Sequence, residues 1–229
     1  MLKKIDTVYE RVKHKYFNKL LYRNKKISKI EYDMRNAFLK HTHQFGVYDF
    51  YQSYPPLKIS GIRNTLSRFK VYKLKDKLNS HDRVLDIGGN IGFLSSYISR
   101  YVKEVVIVEK NKHLTDICNM LLKHEKIENV KTINQDFKEY KNGAKYDMIF
   151  SLAMHYWVGM TLEDYLKKIT KFMHGNSLIL FESHIIYEYA GDKDIEDQLK
   201  QIPFIEIIEQ DEIDDHNGNI RKFFYLRKK

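Results

Sequence analysis

Short apolar runs alternate with helical segments from residue 80 onward, and this alternation constrains the fold more than any other feature of the sequence. Seven runs have the length and composition of buried strands; they cover residues 84–87, 105–108, 130–133, 148–152, 178–181, 204–208 and 223–226. Helical patterns fill most of the gaps, at 91–100, 114–124, 162–172 and 195–201. Because strands that alternate with helices pair in parallel, we expect an α/β fold with a mostly parallel sheet and helices on both faces.

The last two runs flank the turn-like sequence Asp-His-Asn-Gly-Asn at 215–219. Two strands joined by such a turn pair as a hairpin, and their directions are opposite. We therefore expect an antiparallel strand at one edge of the sheet.

Residues 1–78 have a different pattern and are predicted to form a basic helical cap with an aromatic lid loop, before a core domain at 79–229. Ile5, Val8 and Val12 begin an amphipathic helical spacing, and Ser28 with Glu31 has the form of a capping box for a second helix that runs to about residue 41. A third helix is predicted over 65–78. Between the second and third helices, aromatic residues surround a proline pair in the sequence 48–56, which indicates a loop.

The positive charge is concentrated in this first part of the chain. Residues 1–80 carry 19 Lys and Arg against 6 Asp and Glu, a balance of +13, whereas the remaining residues carry 21 against 24, a balance of −3. Such a cationic segment suits an anionic partner, such as nucleic acid, a phosphorylated glycan or lipid headgroups. A lysine-rich proteome explains the same balance without any partner.

The sequence also argues against several classes of protein. The longest stretch without Asp, Glu, Lys or Arg is 148–162, which is too short for a membrane-spanning helix. Charged residues near the start argue against a secretory signal. Cys118 is the single cysteine, so no internal disulfide can form, and we expect a reducing, cytoplasmic setting.

The first predicted strand ends in Asp86, which is followed by a turn that contains Gly88, Gly89, Asn90 and Gly92 and leads into a helix. A glycine turn at this point lets the backbone approach a ligand closely. Glu109 ends the second strand, 21 residues after the first glycine, where its carboxylate can accept hydrogen bonds from both hydroxyls of a ribose. Together these features predict a cofactor of the adenosine type.

The spacing excludes the usual dinucleotide fingerprint, because Asn90 and Phe93 stand where glycines would be required. An acidic residue two positions before a glycine-rich turn resembles instead motif I of the class I S-adenosylmethionine-dependent methyltransferases. Asn90 replaces the middle glycine of that motif, and asparagine tolerates a left-handed conformation better than most residues. The resemblance implies a Rossmann-like fold and S-adenosylmethionine as the cofactor.

The resemblance extends through most of residues 80–185. It implies that Asp136 accepts a hydrogen bond from the adenine amine, that Phe137 lies beside the base, and that the fourth strand, with Ser151, leads to the methyl-transfer centre. The cofactor-binding residues that it implies are Asp86, Gly88, Gly89, Asn90, Gly92, Glu109, Lys110, Asp136, Phe137 and Ser151.

A hydroxyl acceptor would benefit from a base within hydrogen-bond reach. His155, just beyond the fourth strand, is the first candidate and His184, after the fifth strand, is the second; packing or substrate positioning remains an alternative role for each. No pair of ligands has the spacing of a zinc site, so we expect no metal.

The predicted substrate-binding residues are Tyr51, Arg63, Tyr156 and Trp157. Tyr156 and Trp157 could stack on a base or sugar ring, although the single tryptophan also suits a core position. Arg63 or Arg68 could bind a phosphate or carboxylate of the acceptor as a fork, and a solvated helix start is the alternative.

Three hypotheses for function remain open at this stage. The first is O-methylation of a small-molecule or sugar acceptor, with an anionic acceptor favoured. The segment 61–68, the Gly-Asn-Ile-Gly turn at 89–92 and the Phe-Glu-Ser-His sequence at 181–184 resemble small bacterial methyltransferases of surface-glycan and natural-product pathways. The second is methylation of tRNA or rRNA, with the basic N-terminal part on the phosphate backbone. The third is a cofactor-fold protein that only binds a partner. The methylated atom and the oligomeric state stay open.

Overall fold

A seven-stranded sheet forms the centre of the described part of the chain. The computed structural model describes residues 2–41, 48–183, 195–214, 218 and 220–229. The strands are β1 (Arg83–Ile87), β2 (Glu104–Glu109), β3 (Val130–Asn134), β4 (Tyr146–Leu152), β5 (Met173–Glu182), β6 (Ile205–Asp214) and β7 (Ile220–Lys228). Each of the seven predicted apolar runs overlaps one of these strands, and the run at 204–208 begins one residue before β6. The sheet order is β3-β2-β1-β4-β5-β7-β6.

The strand order confirms the Rossmann-like sheet and corrects the position of its antiparallel strand. β1 to β5 pair in parallel, and β7 pairs antiparallel with both β5 and β6. The hairpin of β6 and β7 is thus confirmed, but the expectation of an antiparallel strand at the edge is wrong. β7 lies inside the sheet because it returns from the turn into the space between β5 and β6. Its residues from Phe223 to Leu226 are buried accordingly.

Helices cover both faces of this sheet. In chain order they are α1 (Leu2–Arg23), α2 (Lys29–His41), α3 (Thr65–Val71), α4 (Leu74–Lys77), α5 (Phe93–Ile98), α6 (Lys112–Glu125), α7 (His155–Val158), α8 (Leu162–Ile169) and α9 (Ile195–Lys200). Successive residues of β1 point to opposite faces, so that Val84 joins one apolar cluster while Leu85 and Ile87 join the other. The core therefore consists of two layers, one on each side of the sheet.

The N-terminal helices pack on the sheet domain through α2. Met34 and Phe38 of α2 share an apolar cluster with residues of α6. At the start of α2, Ser28 Oγ accepts a hydrogen bond from the backbone N–H of Glu31 at 3.2 Å, as the capping box predicts. The Glu31 carboxylate, however, pairs with Arg35 at 2.8 Å, one turn further along the helix.

Two predicted helices have different bounds from those expected. The helix predicted over 65–78 is divided into α3 and α4, because Lys73 takes a left-handed conformation with φ of 54°. The helix predicted from residue 91 begins at Phe93, because Gly92 has φ of 72° and ends the preceding turn. In both cases a local positive φ sets the boundary, and helical periodicity does not reveal it.

The aromatic loop is anchored to the core rather than free. Phe50 and Tyr54 are buried, and their rings lie 5.4 Å and 5.3 Å from the ring of Phe93. Tyr48 stacks on His14 of α1 at 4.9 Å. Among the described helices, none combines the length and apolarity needed to cross a lipid bilayer.

Candidate active site

The turn after β1 has the backbone that its sequence predicts. Gly88 and Gly92 have φ of 72° and Asn90 has φ of 56°, so the asparagine does adopt the left-handed conformation expected of it. A Cβ atom at Gly88 would lie 2.2 Å from the sulfur of Met154, and one at Gly92 would lie 2.4 Å from the sulfur of Cys118. A side chain at either position would therefore be strained by the backbone conformation and would have to displace Met154 or Cys118.

Three acidic side chains of the predicted site line one cavity. Asp86, Glu109 and Asp136 all contribute to a cavity of about 890 Å³ at the carboxyl ends of β1, β2 and β4. This is the edge where ligands bind in parallel α/β sheets. The convergence of the three carboxylates, on which the sequence hypothesis depended, is present in the structure.

The two most buried carboxylates of the cavity have raised pKa values. Burial raises the pKa of Asp86 to about 6, and the charge of Glu109 adds to this rise, whereas the hydrogen bond from Ser95 Oγ at 2.6 Å opposes it. Burial also raises the pKa of Glu109, against backbone hydrogen bonds from Asn111 at 2.9 Å and Asn90 at 3.2 Å. A ligand that brings hydrogen-bond donors or positive charge would relieve this desolvation.

Most of the predicted cofactor residues meet at this cavity. The cavity is lined by eight of them: Asp86, Gly88, Gly89, Asn90, Glu109, Lys110, Asp136 and Phe137. Gly92 does not line it and instead precedes α5, packed against Cys118. Ser151 is fully buried, and its hydroxyl lies 2.8 Å from the hydroxyl of Tyr165, so it supports the site from beneath.

The predicted substrate-binding residues divide in the same way. Tyr51, Arg63 and Trp157 line the cavity. Arg63 lies over the ring of Tyr51, with its guanidinium carbon 4.0 Å from the ring centroid. Tyr156 is exposed and is not among the described residues of the lining, although its ring contacts that of Trp157.

The two predicted bases have different outcomes. His155 begins α7 but does not belong to the described lining of the cavity, whereas Met154, Trp157 and Val158 do. Its ring lies 5.6 Å from the ring of Phe181, which is a packing contact. The structure therefore places the first candidate beside the cavity rather than in it. His184 lies outside the described residues.

A buried charge cluster, which the sequence did not predict, lies at the other end of the cavity. Glu182, at the end of β5, is fully buried and contacts Arg68 Nη1 at 2.7 Å and Arg221 Nη1 at 2.8 Å. Tyr72 donates a hydrogen bond to the same carboxylate. Burial alone would raise the pKa of Glu182, but the two guanidinium groups hold it below its usual value. Glu182 is therefore an anion held between two cations.

Sequence reasoning missed Arg221 and Tyr72 because they come together only in the folded chain. Arg221 belongs to β7, which pairs with β5 so that Glu182 lies opposite Phe223. β7 carries four basic residues, Arg221, Lys222, Arg227 and Lys228, so its sequence did not single out Arg221. Asp49 and Gln52, from the aromatic loop, also line the cavity and were not predicted to do so.

The fold and the site together define a class, that of the Rossmann-like S-adenosylmethionine-dependent methyltransferases. The chain belongs to the family described as protein-L-isoaspartate(D-aspartate) O-methyltransferase (PCMT), whose model matches residues 17–174. The cofactor of this class is S-adenosylmethionine.

Individual relatives agree with this class. The ribosomal RNA small subunit methyltransferase A of Desulforapulum autotrophicum is 40% identical over 62 residues, which is 27% of this chain. The chain spans about a fifth of the length of this curated relative, since the match covers 22% of it.

Two solved structures share the fold at low sequence identity. The bifunctional kinase-methyltransferase WbdD superposes with a TM-score of 0.61 at 17% identity, over 80% of this chain and 44% of that one. A methyltransferase of Thiobacillus denitrificans in complex with S-adenosyl-L-homocysteine gives 0.55 at 13% identity, over 70% and 91%.

The residues at the β1 and β2 end of the cavity fit S-adenosylmethionine. The cofactor offers ribose hydroxyls and an ammonium group as donors, and the carboxylates of Asp86 and Glu109 are acceptors in a desolvated setting. The left-handed turn at Asn90 brings backbone close to the same space. This end of the cavity, called the cofactor end below, thus offers the acceptors that the cofactor requires.

Proposed function

We propose that the chain transfers the methyl group of S-adenosylmethionine to an oxygen of a small-molecule or sugar acceptor. One observation carries this proposal: a single cavity is lined both by the predicted cofactor residues and by the predicted substrate residues Tyr51, Arg63 and Trp157. The segment from Leu152 to Met154 lines the cavity between them. A cavity of about 890 Å³ is in the range that holds a cofactor and a small acceptor together.

The chain's own residues would hold and align the two reactants. Bound S-adenosylmethionine would supply an activated methyl group to the acceptor oxygen. Alignment of the reacting atoms is the main requirement for such a step. Glu109 and Asp136 would hold the nucleoside, and the 1–78 cap would close over the acceptor, since Tyr51 and Arg63 come from it.

The identity of a general base stays a separate proposal. His155 is the predicted base that follows β4. The described lining of the cavity contains its neighbours Met154 and Trp157 but not His155 itself. A base of this kind contributes about a hundredfold or more to the rate. Substitution of His155 therefore tests it directly, as described in the Discussion.

The proposal is tested in two steps, by cofactor binding and by transfer. Calorimetry with S-adenosylhomocysteine should detect binding, and no binding up to millimolar ligand would overturn the proposal. Transfer of a labelled methyl group should then be measured on a panel of acceptors: glucose, glucose 6-phosphate, glucuronate, an isoaspartyl peptide and total tRNA. The peptide tests the substrate named in the family's description. Binding of the cofactor without transfer to any acceptor would favour the cofactor-fold binding protein.

A basic groove between α1 and α2 supports methylation of RNA as a second candidate. The groove has a volume of about 440 Å³ and is lined by Val12, Lys15, Tyr16, Lys19, Tyr32, Asn36 and Lys40. Lysines beside tyrosine rings suit a phosphate backbone with stacked bases. The curated relative described above is named as a ribosomal RNA methyltransferase, which agrees with this candidate.

Salt dependence separates the two candidates. Binding of RNA in the groove would weaken steeply with added salt, because each neutralised phosphate releases counterions. The double substitution Lys15→Ala and Lys19→Ala should reduce that slope, whereas Lys123→Ala with Lys126→Ala, on α6 and just after it, is the matched control. If the double substitution of Lys15 and Lys19 leaves methyl transfer to tRNA unchanged, the groove is not the binding site for tRNA.

A further inference from the structure

Two arginines line the acceptor end of the cavity although they are almost completely buried. Arg68 of α3 is 3% exposed and Arg221 of β7 is 8% exposed, and both contribute to the cavity wall. Glu182 and Tyr72, which contact Arg68, do not belong to the described lining. The Glu182 carboxylate therefore holds both guanidinium groups, and the Tyr72 phenol holds that of Arg68, from outside the described lining.

This arrangement is costly if it serves only to stabilise the fold. Burial of charged groups carries a desolvation penalty, and apolar side chains of similar volume commonly stabilise a core as well or better. Charged groups in that position are better explained when a ligand uses them. The guanidinium group, a planar fork of donors, matches the geometry of phosphate and carboxylate oxygens.

A third arginine extends the same surface. Arg63 lines the cavity and lies over the ring of Tyr51, whose hydroxyl is 3.5 Å from Arg221 Nη1. Tyr51 thus connects Arg63 with the buried pair. Asp49 is an acidic residue of the same wall, but its carboxylate is already paired with Arg35 at 2.5 Å.

We propose that Arg63, Arg68 and Arg221 form an oxyanion subsite that binds a phosphate or carboxylate group of the methyl acceptor. Glu182 and Tyr72 are positioning residues for this subsite, since they orient the guanidinium groups without lining the cavity. The acceptor is then a phosphorylated or carboxylated small molecule rather than a neutral sugar. The assignment of the anion to the acceptor rests on the proposed methyl transfer, whereas binding of the anion does not.

The subsite is tested on protein saturated with S-adenosylhomocysteine. The probes are inorganic phosphate, glucose 6-phosphate, glucuronate and glucose, each titrated by calorimetry. We expect glucose 6-phosphate or glucuronate to bind at least tenfold more tightly than glucose, because hydrogen bonds to charged groups are stronger than those to neutral groups. Comparison of the phosphate and carboxylate probes identifies which oxyanion is preferred.

Arg63→Gln is the main variant because Arg63 is only partly buried and is not part of the Glu182 cluster. It should weaken binding of the charged probe by roughly tenfold or more and leave the affinity for S-adenosylhomocysteine unchanged. Arg100→Gln is the matched control, because Arg100 also lies over a tyrosine ring, that of Tyr97, at 4.8 Å but does not line the cavity. Arg63→Lys should restore less than the full affinity, because lysine keeps the charge and loses the fork.

Two results would overturn the subsite: equal affinities for glucose and the charged probes, or equal losses in Arg63→Gln and Arg100→Gln. Failure of the proposed function has a different signature, namely loss of S-adenosylhomocysteine binding or absence of methyl transfer in the wild-type chain. Charged probes that bind but are not methylated, while a neutral sugar is methylated, would contradict the assignment of the anion to the acceptor. Arg221→Gln is a second variant, and its folding is checked by its cofactor affinity.

Discussion

The two ends of the cavity have opposite charges. The cofactor end is lined by the acidic residues Asp86, Glu109 and Asp136, and the other end by Arg63, Arg68 and Arg221. Under the proposed function, the hydrogen-bond donors and cationic groups of the cofactor would pair with the carboxylates of the first end, and the second end suits an anion. The opposite charges would then favour one orientation for each of the two ligands.

Buried carboxyl groups have pKa values shifted in opposite directions at the two ends of the cavity. Burial raises the pKa values of Asp86 and Glu109, because no cation of the described residues forms an ion pair with either carboxylate. The pKa of Glu182 is lowered, although its burial is complete, because Arg68 and Arg221 contact it. The comparison shows that burial alone does not set the charge state; the partner does. The predictions below test this contrast, from the largest effect to the smallest.

The largest effect is expected for Glu182→Gln. Removal of this charge leaves two buried guanidinium groups without their carboxylate, and we expect a loss of about 3–5 kcal/mol in the free energy of unfolding, measured with urea. Glu104→Gln is the control, because Glu104 contacts Arg83 and Lys131 nearer the surface, and it should cost below about 1 kcal/mol. Equal losses in the two variants would show that the buried cluster has no special role.

The contribution of Glu182 also depends on pH, with a definite sign. Its pKa is lower in the folded chain than in the unfolded one, so its stabilisation is present above the unfolded pKa and is lost as pH falls through the folded value. The wild-type chain should therefore lose stability in acid below about pH 4.5 by a component that Glu182→Gln lacks. Parallel acid titrations of both proteins would contradict this.

Glu109→Ala should have the next largest effect, on cofactor affinity. It removes the acceptor of two backbone N–H groups and of the predicted ribose hydroxyls, so we expect the affinity for S-adenosylhomocysteine to fall by roughly a hundredfold or more. Glu128→Ala, at an exposed position between α6 and β3, is the control and should bind normally. Binding within a few-fold of wild type in Glu109→Ala would remove it from the cofactor site.

Asp86→Asn separates cofactor binding from stability. Since the folded pKa is about 6, above the ordinary value, the folded chain binds the proton more tightly and its stability falls as pH rises from about 4 to 6. The asparagine has no such penalty, so at pH 8 the variant without cofactor should be more stable by about 1–3 kcal/mol. Its affinity for S-adenosylhomocysteine should fall about tenfold or more. A variant that is less stable than wild type at pH 8 would show that Asp86 does not pay a desolvation penalty.

The smallest effect is expected for His155→Ala, because His155 belongs to the described lining of neither end of the cavity. Because the ring packs on Phe181 and the cavity is lined by its neighbours, we expect turnover within a few-fold of wild type at unchanged cofactor affinity. A fall of about a hundredfold in kcat would instead identify His155 as the base. Tyr156→Ala is the matched control, because Tyr156 is the neighbouring residue in sequence and is exposed.

The sequence predicted the cofactor end far better than the acceptor end. Asp86, Gly88 and Asn90 stand on one continuous turn, and Glu109 follows at a fixed spacing, so local sequence specifies most of that geometry. The strands were predicted for the same reason, since burial on both faces produces apolar runs that can be identified without knowledge of the fold.

The acceptor end depends on contacts between distant parts of the chain. Arg68 and Glu182 are 114 residues apart, and Glu182 and Arg221 are 39 residues apart. No periodicity relates such positions; the antiparallel insertion of β7, which the sequence did not predict, brings the second pair together. His155 shows the complementary case, because its position after β4 did not bring its side chain into the described lining of the cavity.

The interior position of β7 has a consequence for how the molecule opens. β7 can leave the sheet only together with β6 or by separating from both neighbours, and it carries Arg221 with it. The turn and strands around Asp86 and Glu109 do not include this hairpin. Under the proposed function, local unfolding of the hairpin would release the acceptor while the nucleoside stays bound, so that amide exchange in β7 would follow acceptor binding and exchange in β1 would follow cofactor binding.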